Sequence, residues 1–158
     1  MDDSELILTD PAMADLAARI RALGMNLNKA ALRGEEYPQA FRRHLTTMAE
    51  MFDCRVRQES AGLFDDIAPP RDVVWVRDGN GGRAVVAFEI DATVKMRSFQ
   101  KLQATTASHK IWIYFGRDVW GFRTFLQKHD PSRQIVPVIV PQTFVPSFDD
   151  ENEPLQTP

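Results

Sequence analysis

Apolar residues recur along this chain with two different spacings, and each spacing predicts a different kind of element. Four segments repeat apolar residues every three or four positions, as amphipathic helices do: residues 10–24, 35–54, 95–110 and 117–130. Four shorter runs are apolar and rich in β-branched or aromatic residues, as buried strands are: residues 72–76, 83–91, 111–116 and 134–141. Residues 55–62 fit a further short strand.

Turn and cap residues mark the borders of several of these elements. Asp10 can cap the first helix, Pro11 occupies its first turn, and Gly24 is expected to end it. Residues 77–82, RDGNGG, predict a hairpin turn, since Asp-Gly and Asn-Gly readily adopt the positive φ that hairpins need. Pro137 predicts that the last strand lies at a sheet edge, because proline has no N–H to donate to a neighbouring strand.

The order of these elements defines the expected fold class. Apolar strands that alternate with helices indicate an α/β domain, with a central mixed sheet flanked by helices on both faces. A chain of 158 residues is long enough for one domain with a sizeable core. We expect residues 1–34 to form an N-terminal helical segment, residues 35–145 the α/β core, and residues 146–158 an acidic, proline-rich, disordered tail.

Charge is distributed unevenly along the chain. Nine of the 22 Asp and Glu residues lie before residue 16 or after residue 145, which leaves 13 acids against all 19 Lys and Arg between them. The resulting formal charge of +6 favours approach to a polyanion, although the acidic ends oppose it.

The cysteine content and the hydropathy of the chain restrict the cellular compartment in which the protein is expected. The single cysteine, Cys54, excludes an internal disulfide and a zinc site built from several cysteines. No apolar run nears the ~18 residues of a membrane span, and the acidic N-terminus lacks the layout of a secretory signal. These features favour a cytoplasmic protein with no membrane partner.

Three carboxylates stand at the ends of the two strands that the hairpin would join. Glu89 and Asp91 are two positions apart, so they point to one strand face, while Phe88 and Ile90 point to the other. Asp72 opens the partner strand and is expected to lie across from them. A buried carboxylate cluster is costly without compensation, which Mg²⁺ or Mn²⁺ bound by these hard oxygens would supply. Such an ion can activate water for attack on a phosphodiester.

The same acids also admit a structural interpretation. They could sit in water at frayed strand ends, or pair with nearby guanidinium groups: Arg71, Arg83 or Arg97. Three tryptophans lie in apolar runs and are expected in the core: Trp75, Trp112 and Trp120. The histidines share no metal-ligand spacing and are expected to serve surface or capping roles: His44, His109 and His129. Cys54 has no evident histidine partner and is expected to be structural.

Asp72, the hairpin, the FEID sequence that follows it and the SFQKL sequence of the next helix together resemble the PD-(D/E)XK nuclease superfamily. The resemblance covers roughly residues 36–140 and includes the predicted order of a helix, three strands, a helix and a strand. It implies a restriction-endonuclease-like core. It also implies that Asp72 and Glu89 bind the catalytic metal ion.

The third motif position departs from the family pattern. The family usually places a lysine there, which orients or activates water, whereas this chain has Asp91, expected as a further metal ligand. The proline of the motif is also displaced by one residue, since PPR precedes Asp72. Some members of the family have an acid at this position, and the family also tolerates a lysine supplied by the following helix, for which Lys101 is the first candidate here and Lys95 the second. Two more residues resemble accessory positions of some members: Glu50 and Gln100.

The resemblance implies a metal-dependent endonuclease or exonuclease that hydrolyses phosphodiester bonds, with Mg²⁺ or Mn²⁺ as cofactor. DNA is the expected partner in preference to RNA, and a homodimer or larger complex would supply specificity. Two alternatives stay open. One is a catalytically inactive member of the same fold that binds nucleic acid or assembles with proteins. The other is an unrelated α/β domain whose acids are structural.

Overall fold

The computed structural model describes residues 7–29, 36–57, 73–77 and 84–140. In these residues the chain forms a five-stranded mixed sheet with four α-helices, which confirms the predicted α/β class. The helices are α1 (Asp10–Lys29), α2 (Glu36–Met48), α3 (Met96–Ala104) and α4 (Val119–His129), with a 3₁₀ helix at Ala49–Phe52. The strands are β1 (Arg55–Val56), β2 (Val73–Val76), β3 (Ala84–Asp91), β4 (His109–Tyr114) and β5 (Ile135–Ile139).

The strands lie side by side in chain order, from β1 to β5. The first three are antiparallel, whereas β3, β4 and β5 run parallel to one another. Parallel neighbours need a crossover connection, and α3 and α4 provide the two crossovers. Strand β5 pairs with β4 alone among the described strands, so the edge position predicted from Pro137 is confirmed.

Both faces of the sheet are covered by helices, as the apolar strands predict. Helices α1 and α2 pack on one face through an apolar cluster that includes Phe41, Trp75 and Phe88. Helices α3 and α4 pack on the other face, where Leu102 and Phe122 belong to a second apolar cluster and Phe122 contacts the rings of Trp112 and Tyr114. Because side chains alternate along a strand, each central strand contributes to both cores.

Helix α1 runs past Gly24 and ends at Lys29, so the prediction that Gly24 ends it is wrong. A β-carbon at Gly24 would come 2.0 Å from the Val140 side chain. The glycine therefore permits close packing of α1 against the segment that follows β5, rather than a left-handed helix end. None of the described helices combines the length and apolar character that crossing a membrane requires.

Trp120 contradicts the prediction that all three tryptophans lie in the core. Trp75 and Trp112 are fully buried, whereas Trp120 is 77% exposed. It lies two residues before the buried Phe122, and two helical positions are about 200° apart, so Trp120 faces away from the sheet. Apolar composition alone did not distinguish the two sides of this short helix.

Several predictions fall on residues outside the described ranges. They concern Asp72, most of the turn at 77–82, the later part of the strand at 55–62, both ends of the 1–34 segment, the end of the 35–145 core and the tail at 146–158. They stay predictions.

His109 ties the residues before α1 to the start of β4. Its Nε2 accepts a hydrogen bond from the Leu8 backbone N–H at 2.8 Å, which requires that nitrogen to be unprotonated. Burial lowers the pKa of His109 below its ordinary value of 6.5, the Arg77 guanidinium lowers it further, and Asp10 partly opposes the shift. The folded state therefore binds this proton less readily than the unfolded chain.

We expect the free energy of unfolding to fall as the pH drops below about 6.5, because protons then bind preferentially to the unfolded chain. His109→Gln retains an acceptor oxygen but does not titrate, so it should flatten this slope between about pH 7 and pH 5. Urea unfolding across this range measures the effect, and His44→Gln, at an exposed histidine of α2, is the control. Equal slopes in all three proteins would contradict the assignment.

Candidate active site

Glu89 and Asp91 lie at the carboxyl end of β3, the central strand of the sheet. The apolar run before them is buried on both faces, so hydrophobic packing holds the strand in place up to its carboxyl end. Phe88 and Ile90 point toward α1 and α2, as the alternation predicts, and the two carboxylates point toward α3 and α4. They are nevertheless buried, since Glu89 is 3% and Asp91 6% exposed.

Glu89 faces an ammonium group supplied by α3. The Nζ atom of Lys101 lies 3.3 Å from Oε2 of Glu89, and the Lys101 side chain is only 16% exposed. The buried Phe99 and Leu102 anchor α3 on this face of the sheet, which places Lys101 over β3. A buried carboxylate needs such a charge, because transfer of an unpaired ion out of water is expensive.

The Glu89–Lys101 pair leaves one acceptor incompletely used. Oε2 of Glu89 is buried and has no hydrogen-bond partner among the described residues, although the ammonium lies within ion-pair distance. The Lys101 ammonium can offset the charge of the Glu89 carboxylate at this distance even when none of its N–H bonds points at a lone pair of Oε2, so the two observations are consistent. This oxygen is therefore a candidate ligand atom for a cation or a bound water.

Asp91 is held differently, with a protein partner on each oxygen. The Trp112 indole N–H donates to Oδ2 at 2.9 Å, and Nζ of Lys95 lies 3.5 Å from Oδ1. The parallel register pairs Glu89 with Trp112 and Asp91 with Tyr114, so these side chains share one face. Because the Lys95 side chain is 50% exposed, its ion pair contributes little, and the buried indole bond is the stronger constraint.

The structure brings four predicted site residues together: Glu89, Asp91, Lys95 and Lys101. Gln100 lies on the exposed side of α3, and Glu50 is exposed in the 3₁₀ helix, which packs on the opposite face of the sheet. Asp72 lies outside the described residues, whereas the residue after it, Val73, pairs with Phe88.

The described residues do not by themselves form a cluster of side chains that could hold a metal ion. Across residues 7–29, 36–57, 73–77 and 84–140, no group of three or more His, Cys, Asp or Glu side chains could hold a metal ion. Glu89 and Asp91 are thus two carboxylates flanked by two lysines, and a metal site there would need ligands from outside these residues.

Trp112 is the residue of this site that sequence reasoning missed. Its apolar neighbours predict a core position, which is correct, but its indole N–H also binds Asp91. Alternation in the β4 sequence indicates that Trp112 and Tyr114 share a face. That the face is also the one with Asp91 depends on the pairing of β3 with β4, which the sequence does not display.

Comparisons with known proteins add no relative to this description. The chain matches no family model, no curated protein and no solved structure. Any assignment of function therefore depends on the chemistry of the residues themselves.

Lys101→Met should destabilise the fold by about 3 kcal/mol, because it leaves the Glu89 carboxylate buried without a compensating charge. The double variant Glu89→Gln/Lys101→Met should recover most of that loss, since a neutral amide is cheaper to bury than an unpaired ion. Urea unfolding of the wild type, Glu89→Gln, Lys101→Met and the double variant measures the coupling energy between the two side chains.

Arg43→Met, at an exposed cation of α2, is the control and should change stability by less than about 0.5 kcal/mol. If the change in unfolding free energy of the double variant equals the sum of the changes in the two single variants, Glu89 and Lys101 do not interact.

Trp112→Phe should destabilise the protein by about 1–3 kcal/mol more than Trp75→Phe. Both indoles are fully buried and both variants lose similar volume, but Nε1 of Trp75 has no hydrogen-bond partner among the described residues. Only the Trp112 variant leaves a buried carboxylate oxygen without its donor. Chemical unfolding of the two variants measures the difference, and equal losses would assign no stabilisation to the indole bond.

Proposed function

We propose that this protein is a metal-dependent nuclease that hydrolyses phosphodiester bonds in nucleic acids, with its centre at Glu89, Asp91 and Lys101. One observation carries the proposal. A buried glutamate oxygen, Oε2 of Glu89, has no hydrogen-bond partner among the described residues and lies 3.3 Å from the Lys101 ammonium. A carboxylate beside a cation, at the end of a sheet strand, suits chemistry on a phosphate ester.

The order of elements also supports a restriction-endonuclease-like core, which we propose as the finer description of the fold. From Glu36 to Tyr114 the chain forms a helix, three antiparallel strands, a helix and a fourth strand parallel to the third. This is the order that the resemblance to PD-(D/E)XK nucleases implies. The carboxylates lie on β3, the third of these strands, where the resemblance places them.

The donor set fits a hard divalent cation in part. Mg²⁺ typically takes one or two carboxylates and completes its shell with water and phosphate oxygens. Glu89 offers Oε2, which accepts no hydrogen bond among the described residues although Lys101 lies within ion-pair distance. Asp91 already has a partner on each oxygen, and Asp72 is the further ligand of the proposal. When bound, Mg²⁺ or Mn²⁺ would stabilise charge on the phosphate and make water a better nucleophile.

Lys101 takes the part that the resemblance gives to the lysine missing from the motif. Its ammonium lies on the same face as the carboxylates, where it can donate to an attacking water and offset phosphate charge. Asp91 acts as a positioning residue, because it binds Trp112 of β4 and Lys95 at the start of α3. Lys95, half exposed, can approach a bound polyanion from the rim of the site.

A second function has an observation of its own in its favour. Asp91 occupies the usual lysine position and its two oxygens are engaged within the protein. A site of this kind could bind nucleic acid without cleaving it. The second candidate is therefore a catalytically inactive binding or assembly module of the same fold.

Glu89→Gln should weaken Mg²⁺ binding and reduce cleavage by about a hundredfold or more, because it removes the negatively charged oxygen that the proposal assigns to the metal ion. Lys101→Met should retain metal binding but lose a similar factor in cleavage, since it removes a group that acts on water and phosphate. Calorimetric titration of Mg²⁺ and Mn²⁺, with cleavage assays on single- and double-stranded DNA and RNA, measures both.

Glu50→Gln, at an exposed carboxylate on the far side of the sheet, is the matched control and should behave as the wild type. Failure of the wild type to bind either metal would reject the nuclease proposal. Nucleic-acid binding without cleavage at any metal concentration would favour the second candidate.

A further inference from the structure

Helix α4 presents a large aromatic ring to solvent. Trp120 is 77% exposed, while Phe122 and Leu126 of the same helix are buried against the sheet. An exposed indole offers a broad apolar face with one polar edge, which is the chemistry of a recognition surface.

The side chains around Trp120 are cationic or polar. Arg123, Gln127 and Lys128 are exposed and recur at helical spacing, so they share one side of α4 with Trp120. We call these four residues the Trp120 face. The acids at the two ends of the helix are directed elsewhere, since Asp118 accepts from the Gly121 N–H at the helix start. Asp130 likewise accepts from the backbone N–H groups of residues 134 and 135.

The part of the chain that includes this face carries an excess of positive charge. Residues 84–130, which include β3, α3, β4 and α4, contain seven Lys and Arg residues and four Asp and Glu residues, a formal charge of +3. Lys95 and Lys101 are paired with the two acids of β3. The remaining excess therefore includes the two exposed cations of the Trp120 face, Arg123 and Lys128.

The connection between β4 and α4 lies beside the end of β3. The Phe115 N–H donates to the Asp91 carbonyl at 2.9 Å, and a β-carbon at Gly116 would come 2.1 Å from the Ala92 carbonyl. The Tyr114 hydroxyl donates to the Asp118 carbonyl at 3.1 Å, which fixes the start of α4 to β4. The helix that carries Trp120 thus begins within a few residues of the strand end that carries Asp91.

We propose that the Trp120 face binds single-stranded nucleic acid, with a base stacked on the indole and phosphates beside Arg123 and Lys128. Charge complementarity selects a polyanion, and the indole selects one with exposed planar rings. A duplex hides its ring faces in the stack, whereas a single strand offers every one of them. The proposal rests on the nuclease function and extends it to its substrate class, but the binding it describes does not require cleavage.

Fluorescence anisotropy with a labelled single strand of about 15 nucleotides, in EDTA and at low salt, tests the proposal without metal or turnover. Trp120→Ala should weaken binding about tenfold or more, and Trp120→Phe should restore most of it, because a phenyl ring also stacks. Arg123→Ala should weaken binding and reduce the slope of log K against log salt by about 0.7 for each phosphate that the variant no longer neutralises.

Two exposed residues on the opposite side of the sheet provide controls. Met51→Ala, in the 3₁₀ helix, matches the removal of an exposed apolar group, and Arg43→Ala, in α2, matches the removal of an exposed cation. Both should bind as the wild type. Because Trp75 and Trp112 are buried, a change in intrinsic fluorescence on binding should come from Trp120 and disappear in Trp120→Phe.

Wild-type affinity in Trp120→Ala, or equal weakening by the two controls, would overturn the proposal. So would a dimer seen in sedimentation that Trp120→Ala abolishes, since a second copy of the chain would then cover the face. The nuclease function fails by a different measurement. If the wild type binds the single strand through Trp120 but shows no metal-dependent cleavage, only the nuclease proposal is rejected. If it cleaves nucleic acid but its binding does not depend on Trp120, only the proposal for the Trp120 face is rejected.

Discussion

The burial of two negative charges on one face of a sheet is the constraint on which this half of the molecule depends. Glu89 and Asp91 are nearly inaccessible to water, so each needs compensation from the protein. Glu89 obtains it from Lys101 of α3, and Asp91 obtains it mainly from the indole of Trp112 on β4. The two acids of β3 thereby connect the strand to the helix that follows it and to the next strand. Packing docks α3 and β4 against β3, and the carboxylates then find their partners on those two elements.

The two faces of the sheet differ in the kinds of side chain that they bury. Under α1 and α2 the core contains no buried carboxylate among the described residues, and Gly24 allows α1 to pack closely against Val140. Under α3 and α4 the core contains the acids and the indole that binds one of them, and the solvent side of α4 carries Trp120. A stable apolar layer on one face permits the other to hold groups that cost stability, as functional sites commonly do. The proposed nuclease centre and the proposed single-strand surface both lie in this second half.

Sequence reasoning succeeded where a local rule decides the outcome. Alternation along the strand placed Glu89 and Asp91 on the face opposite Phe88, and Pro137 marked the edge strand. It failed where packing overrides the local signal. Gly24 resembles a helix end but lies inside α1, because its missing side chain fits against Val140. Trp120 resembles a core residue by composition but lies on the outer side of α4, because the sheet contacts Phe122 and Leu126 instead.

By itself the sequence determined the order of the elements, the two carboxylates of β3 and the lysines of the next helix, since periodicity and chemistry are properties of adjacent residues. Only the tertiary structure decided that Lys101 approaches Glu89 while Lys95 approaches Asp91, because that choice depends on how α3 is docked. The parallel register of β3 and β4 likewise made Trp112 a partner of Asp91. Such contacts join residues up to 21 positions apart, and the free energy that selects them comes from packing of whole elements rather than from any local pattern.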